Sequence, residues 1–133
     1  MKTILISGGF DPIHIGHVRL INYAHDYGKV VVALNSDHWL KAKKGFVFMP
    51  WTERAEILRA LNAVHDVIMV DDRDGTVCMA LRQLKPDYFA NGGDRMEPNP
   101  LEHEVCKQLG IKELFNIGGK KIQSSSELVR RMK

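Results

Sequence analysis

Only two cysteines, Cys78 and Cys106, occur among the 133 residues, and they form no C-x-x-C unit, zinc-ribbon pair or redox spacing. A disulfide framework is thereby excluded, and two buried or half-buried thiols are the expectation. No apolar run approaches the ~18 residues of a membrane helix. The amino-terminal stretch offers Lys2 and then Ile4-Leu5-Ile6 before Ser7-Gly8-Gly9. It is too short and too early broken for a secretory leader, so a reduced, cytoplasmic setting without a membrane partner is expected. Charge of one sign is scarce too: 19 Lys and Arg against 16 Asp and Glu leave +3. Without a clustered basic stripe, that surplus argues against a nucleic-acid backbone as partner. Neither G-x-G-x-x-G nor Gly-Lys-Ser/Thr occurs, which removes the dinucleotide fingerprint and the Walker A loop. What remains is an ordinary globular composition, 44% hydrophobic and 26% charged, at a length that fits one domain over residues 1–133.

Short apolar runs recur at Thr3 to Ser7, Val30 to Leu34, Val67 to Val70, Tyr88 to Ala90 and Leu114 to Ile117. They are rich in β-branched and aromatic residues, as strands buried on both faces of a parallel sheet would be. Segments with helical spacing lie between them, marked by Val18, Ile21 and Ala24, by Ala55, Leu58 and Leu61, and by Val77, Ala80, Leu81 and Leu84. The alternation predicts an α/β fold, a doubly wound, Rossmann-like parallel sheet of five strands with helices on both faces. Pro50, Pro86, Pro98 and Pro100 fall between these predicted elements. Open parallel sheets bind ligands beyond the carboxyl ends of their strands. The segments to inspect are therefore Gly8 to His17, Asn35 to Asp37, Asp71 to Asp74, Asn91 to Arg95 and Gly118 to Ser126.

The strongest signal is Gly8-Gly9-Phe10-Asp11-Pro12-Ile13-His14-Ile15-Gly16-His17. It follows the first strand and opens the first helix, where unpaired N–H groups and the helix dipole favour an anion. Two histidines three residues apart at a helix start can project to one side. Gly16 between them removes a Cβ where a ligand would pass, and Gly8-Gly9 lets the backbone come close to something. Imidazole donors and backbone N–H groups converging on one point suit a phosphate that gains charge during displacement. The alternatives are two incidental surface histidines, or a metal site on His14 and His17, for which no third ligand has an obvious spacing.

With these residues in view, the segment resembles the signature H-x-G-H of the cytidylyltransferase-like nucleotidyltransferases. Later landmarks fall in the same order over nearly the whole chain. Asn35-Ser36-Asp37 with Lys41 to Gly45, Glu53-Arg54-Ala55, Asn91-Gly92-Gly93-Asp94 and Lys121 to Ser126 resemble segments of the heptose-phosphate adenylyltransferases. The glycerol-3-phosphate cytidylyltransferases are similar, but the arginine of their R-T-x-G-I-S-T-T segment has no counterpart in Gly118 to Ser124.

The resemblance implies transfer of a nucleoside monophosphate from ATP or CTP, with a slight lean to ATP, onto a small phosphorylated acceptor such as a sugar or polyol phosphate. Pyrophosphate would leave. His14 and His17 would stabilise the phosphorus centre, Lys44 would hold the triphosphate, and Asp11 would organise the metal or the nearby loop. Gly8, Gly9, Phe10, Gly16, Asp37, Lys41, Arg54, Gly92, Asp94, Ser124, Ser125 and Ser126 would line the nucleotide. Magnesium is the implied cofactor.

Several of these residues have a plainer reading. Lys41, Lys43 and Lys44, read as a loop cluster, could be solvated, and Arg54 could be an exposed helix residue rather than a phosphate clamp. Asp94 could be a turn residue. Ser124 with Glu127 fits a capping box. The Asp71 to Asp74 run reads as a turn or solvated face. A nucleotide-sensing protein without turnover and an RNA-binding module are the other functional classes. A homodimer is in keeping with small domains of this architecture, although the sequence shows no seam.

Overall fold

Alternation of apolar strand residues with helical faces is resolved in the computed structural model, which describes residues 1–92 and 99–117. Strands β1 (Thr3–Gly8), β2 (Lys29–Leu34), β3 (Val64–Met69), β4 (Tyr88–Gly92) and β5 (Lys112–Ile117) alternate with helices. The helices are α1 (Ile15–His25), α2 (Asp37–Lys44), α3 (Trp51–Arg59), α4 (Cys78–Leu84) and α5 (Pro100–Leu109). All strand pairs are parallel, in the order β3-β2-β1-β4-β5. The sequence reverses direction between β1 and β4, which is where a doubly wound sheet opens a crevice.

The two sheet faces carry separate cores, because successive strand residues point to opposite sides. Ile4, Ile6, Val30, Val32 and Ala90 pack with Ile21 and Ala24 of α1 and Ala55 and Leu58 of α3. Leu5, Val31, Ala33 and Phe89 pack with Ala80 and Leu81 of α4 and Val105 and Cys106 of α5. β3 departs from the expectation of strands buried on both faces. It is an edge strand whose His65, Asp66 and Met69 are exposed.

Two segments are helical that the apolar spacing did not mark. Lys41 to Lys44 form the last turn of α2 rather than a loop; the helix starts because the Ser36 hydroxyl accepts the Trp39 N–H at 3.0 Å. Pro100 opens α5 instead of lying between elements, since a first-turn proline loses no helical hydrogen bond. Asn99 caps that helix, its side-chain oxygen accepting the N–H groups of Leu101 at 3.0 Å and Glu102 at 3.1 Å.

Candidate functional site

His14 and His17 meet because α1 begins between them. The Nδ1 of His14 accepts the Gly16 N–H, and the Nδ1 of His17 accepts the His14 N–H, both at 3.1 Å. This is a reciprocal cap made from two imidazoles in the roles usually taken by Ser and Glu. The rings stack with centroids 3.8 Å apart and planes 22° from parallel, and Phe10 leans on His17 at 4.6 Å. A ring whose Nδ1 accepts carries its neutral-state proton on Nε2. The cap therefore sets both tautomers with the Nε2 as donor.

Gly16, expected to leave a passage for ligand, lies against the His14 ring. A Cβ there would stand 2.9 Å from His14 Cε1 and 3.1 Å from its Nδ1. At Gly9 the close neighbour is likewise protein: a Cβ would meet Leu40 Cδ2 of α2 at 2.7 Å. The bare turn after β1 thus lies against Phe10 at Gly8 and against α2 at Gly9.

Arg54 corrects both sequence readings, the phosphate clamp and the exposed helix residue. It is 1% exposed. Its Nε donates to the Met49 carbonyl at 2.9 Å, and Nη1 donates to the carbonyls of Gly9 at 2.7 Å and Asn35 at 2.9 Å. Nη2 pairs with Asp37 Oδ1 at 2.6 Å. One guanidinium fork thus joins the loops after β1 and β2, the start of α2 and the segment before α3. Asp37, expected at the nucleotide, has Arg54 as its partner and is half-exposed.

Asp11, expected to organise the metal or the nearby loop, lies against that loop. It is fully buried, and its two carboxylate oxygens accept the N–H groups of Phe48 at 2.7 Å and Met49 at 2.6 Å. It organises the 45–50 loop and is a positioning residue, not one that reaches a substrate.

Asp72, expected in a turn or solvated face, is neither exposed nor without a partner. It is 4% exposed and accepts from Asn35 Nδ2 at 3.0 Å, Ser36 N at 2.9 Å and Ser36 Oγ at 2.7 Å. Its signal was present: a carboxylate just past an edge strand, with Asn-Ser just past the neighbouring one, can staple two parallel strand ends. The neighbouring Asp71 lies exposed against Arg73 Nη2 at 2.7 Å, whose guanidinium lowers its pKa.

Beside this scaffold a cavity of about 320 Å³ opens at the carboxyl ends of β1, β2 and β4. Ser7, Gly8, Asn35 and Asn91 line it, together with Trp39 and Lys43 of α2, Gly75, Val77, Asn99 and Glu102. Neither histidine lines it. Of the expected nucleotide residues that are described, only Gly8 is on its wall, and the described lysine there is Lys43, whose ammonium lies 4.7 Å from the Trp39 ring centroid. Lys41 is exposed and Lys44 half-buried at the end of α2. Gly92 closes β4 opposite Ile117. Asp94, Ser124, Ser125 and Ser126 lie outside the described residues.

The cytidylyltransferase-like family model matches residues 5–131. The chain belongs to the cytidylyltransferase-like family. Among its relatives, a bifunctional protein HldE of Gluconobacter oxydans is 35% identical over 98% of this chain, and an FAD synthase of Pyrococcus abyssi is 31% identical over 82% of it. The match spans 27% of the HldE protein and 74% of the FAD synthase. This cytidylyltransferase-like chain thus corresponds to about a quarter of the length of the HldE relatives. A lipopolysaccharide core biosynthesis protein of Thermoplasma volcanium shares the fold, with a TM-score of 0.76 at 20% identity over 91% of this chain and 99% of its own. Among the described residues no helix is long and apolar enough to cross a membrane.

Proposed function

We propose that this chain is a nucleotidyltransferase that moves a nucleoside monophosphate, from ATP in preference to CTP, onto a small phosphorylated acceptor. The observation that carries the reading is the stacked pair His14 and His17 at the head of α1, with both Nδ1 atoms fixed by backbone N–H groups. Two Nε2–H donors beside a helix amino terminus suit a phosphorus centre whose equatorial oxygens gain charge. Membership of the family supports the same chemistry. FAD contains an adenylyl group, so the FAD synthase relative adds to the lean toward ATP.

In this mechanism an oxygen of the acceptor's phosphate attacks the α-phosphorus in line. A new P–O bond forms, the bond from the α-phosphorus to the bridging oxygen breaks, and pyrophosphate leaves with that electron pair. His14 and His17 stabilise the crowded centre. Lys44, together with Ser124 to Ser126, holds the triphosphate. Asp11 and Arg54 act from beneath, fixing the loops that carry these groups.

Among the described residues no three His, Cys, Asp or Glu side chains converge into a metal cage, and both Asp11 oxygens already accept hydrogen bonds. Magnesium enters this proposal as the counter-ion that arrives with the triphosphate, held chiefly by phosphate oxygens and water. No step is assigned to it. The compartment proposed is the cytoplasm.

The test is a pyrophosphate-release screen of ATP, CTP, GTP and UTP against sugar, polyol and amino-alcohol phosphates. Release with ATP and a hydroxylated phosphate is the expected result. Release with CTP alone would select the cytidylyl branch, and nucleotide binding without any release would select a non-catalytic binder.

A further inference from the structure

Leu34 of β2 and Met69 of β3 are register partners, so the two strands end level. Just past Met69 the chain turns Asp72 inward, and just past Leu34 it presents Asn35 and Ser36. Both carboxylate oxygens of Asp72 are used. Oδ2 accepts two N–H groups, from Asn35 Nδ2 and the Ser36 backbone, and Oδ1 accepts the Ser36 hydroxyl.

That hydroxyl is also the cap of α2, accepting the Trp39 N–H on the same Oγ. Its one proton is committed to Asp72, which leaves its lone pairs for the helix. A hydroxyl that donates to a carboxylate is polarised into a stronger acceptor. A relay thus runs from the end of β3 through Asp72 and Ser36 into the first turn of α2.

From the other side Arg54 grips Asp37, and Leu40 is buried against Gly9. Beyond Leu40 the helix runs out over the exposed residues 41–43 to Lys44 and the left-handed Gly45. α2 is therefore held at its start, and its lysine end goes where the start sends it. Over the roughly 12 Å of an eight-residue helix, a tilt of about 5° at one end moves the other by about 1 Å.

We infer that Asp72 is a positioning residue for the transfer reaction: through the Ser36 hydroxyl it fixes the start of α2 and thereby the place of Lys44 at the triphosphate. It acts through Ser36 and needs no contact with substrate. This assignment rests on the transfer reading above and adds to it the side chain that aims its lysine.

Two substitutions separate aim from charge. Asp72→Ala breaks the relay. Asp72→Asn removes the charge and keeps the relay: its oxygen, in the place of Oδ2, accepts both N–H groups. Its NH2 donates to Ser36 Oγ, which still accepts from Trp39. Pyrophosphate release is measured, with the triphosphate varied, for the wild type, both variants, Ser36→Ala and the Asp72→Ala/Ser36→Ala double variant, well below their melting temperatures. Asp72→Ala should raise the triphosphate KM about tenfold, inside the ~10²-fold that a displacement of about 1 Å can cost. Asp72→Asn should bring KM back near the wild-type value. Ser36→Ala should follow Asp72→Ala, and the double variant should be no worse than either, because both cut one relay. A residue that only stabilised the fold would lower the melting temperature and leave KM alone.

Any of three results overturns the inference while transfer stands: an unchanged KM in Asp72→Ala, an equal rise in Asp72→Asn, or effects of Asp72→Ala and Ser36→Ala that multiply. If Asp72→Ala does not fold, Ser36→Ala decides, since it cuts the relay and leaves Asp72 bonded to Asn35. A rise of about tenfold then supports the inference, and an unchanged KM overturns it. If no triphosphate gives pyrophosphate with any acceptor, the transfer reading itself falls. Calorimetric titration of ATP then decides the positioning role alone: binding that Asp72→Ala weakens and Asp72→Asn restores supports it, and equal or absent heats sink it.

Discussion

Arg54 gives the sharpest test of how this site is held together. Arg54→Met keeps the aliphatic stem and removes four hydrogen bonds, three to the carbonyls of Gly9, Asn35 and Met49 and one to Asp37. Breaking a buried ion pair by removing one partner typically costs about 3–5 kcal/mol. Asp37 is 46% exposed and can rehydrate, which lowers its share. The three carbonyls cannot all do so, and each unmet buried group costs about 1–3 kcal/mol. A loss of about 3–5 kcal/mol is therefore expected, a large part of the roughly 5–15 kcal/mol that holds a domain folded. It should lower the melting temperature by roughly 10–20 °C. Arg54→Lys should recover only part of this, because an ammonium cannot reproduce the planar fork. Urea titration and scanning calorimetry of the three proteins provide the readout. Should Arg54→Met stay within about 1 kcal/mol of wild type while losing triphosphate binding, the guanidinium faces ligand, and its assignment as the staple of four segments is wrong.

The catalytic pair is tested by His17→Gln, which keeps a side-chain acceptor for the His14 N–H and removes the imidazole. The fold should persist, and turnover in the pyrophosphate assay should fall about 10²–10³-fold, as for loss of one positioned donor. Gly16→Ala should push the His14 ring off its partner, lowering kcat with little change in melting temperature, because the Cβ would stand 2.9 Å from His14 Cε1. Asp11→Asn leaves one acceptor where Phe48 and Met49 present two N–H groups; a cost of about 1–3 kcal/mol is expected by urea titration. The pH dependence turns on Cys106, whose thiol is pushed up to about 12 by burial and, next, by the charge of Glu113. Below pH 9 both states keep this proton. Between 9 and 12 the unfolded chain releases it and the folded chain does not, so stability falls across that window. Unfolding of Cys106→Ala, compared with wild type at pH 8 and pH 11, should show a smaller loss in the variant.

Local patterns are set by neighbours along the chain, and those were legible. Apolar strand runs ending at Gly, Asn or Asp and helical faces between them fixed the parallel α/β architecture. His-x-Gly-His at a strand-to-helix turn marked where two imidazoles meet, because three residues separate ring from ring at a helix start. The capping Ser36 and Asn99, with Pro100 behind it, were also in the sequence, and apolar spacing alone overlooked the helices they open. Partners distant in the chain were decided only by the tertiary structure. Arg54 resembles any exposed helix arginine until the ends of β1 and β2 bring three carbonyls around it. Asp72 looks like one of a solvated run until strand pairing sets it beside Asn35 and Ser36. Asn91 and Glu102 share a wall only because β4 lies beside β1 while α5 packs against α4. Burial decides whether a charge clamps a ligand or the protein itself, and burial is a property of the packed sheet.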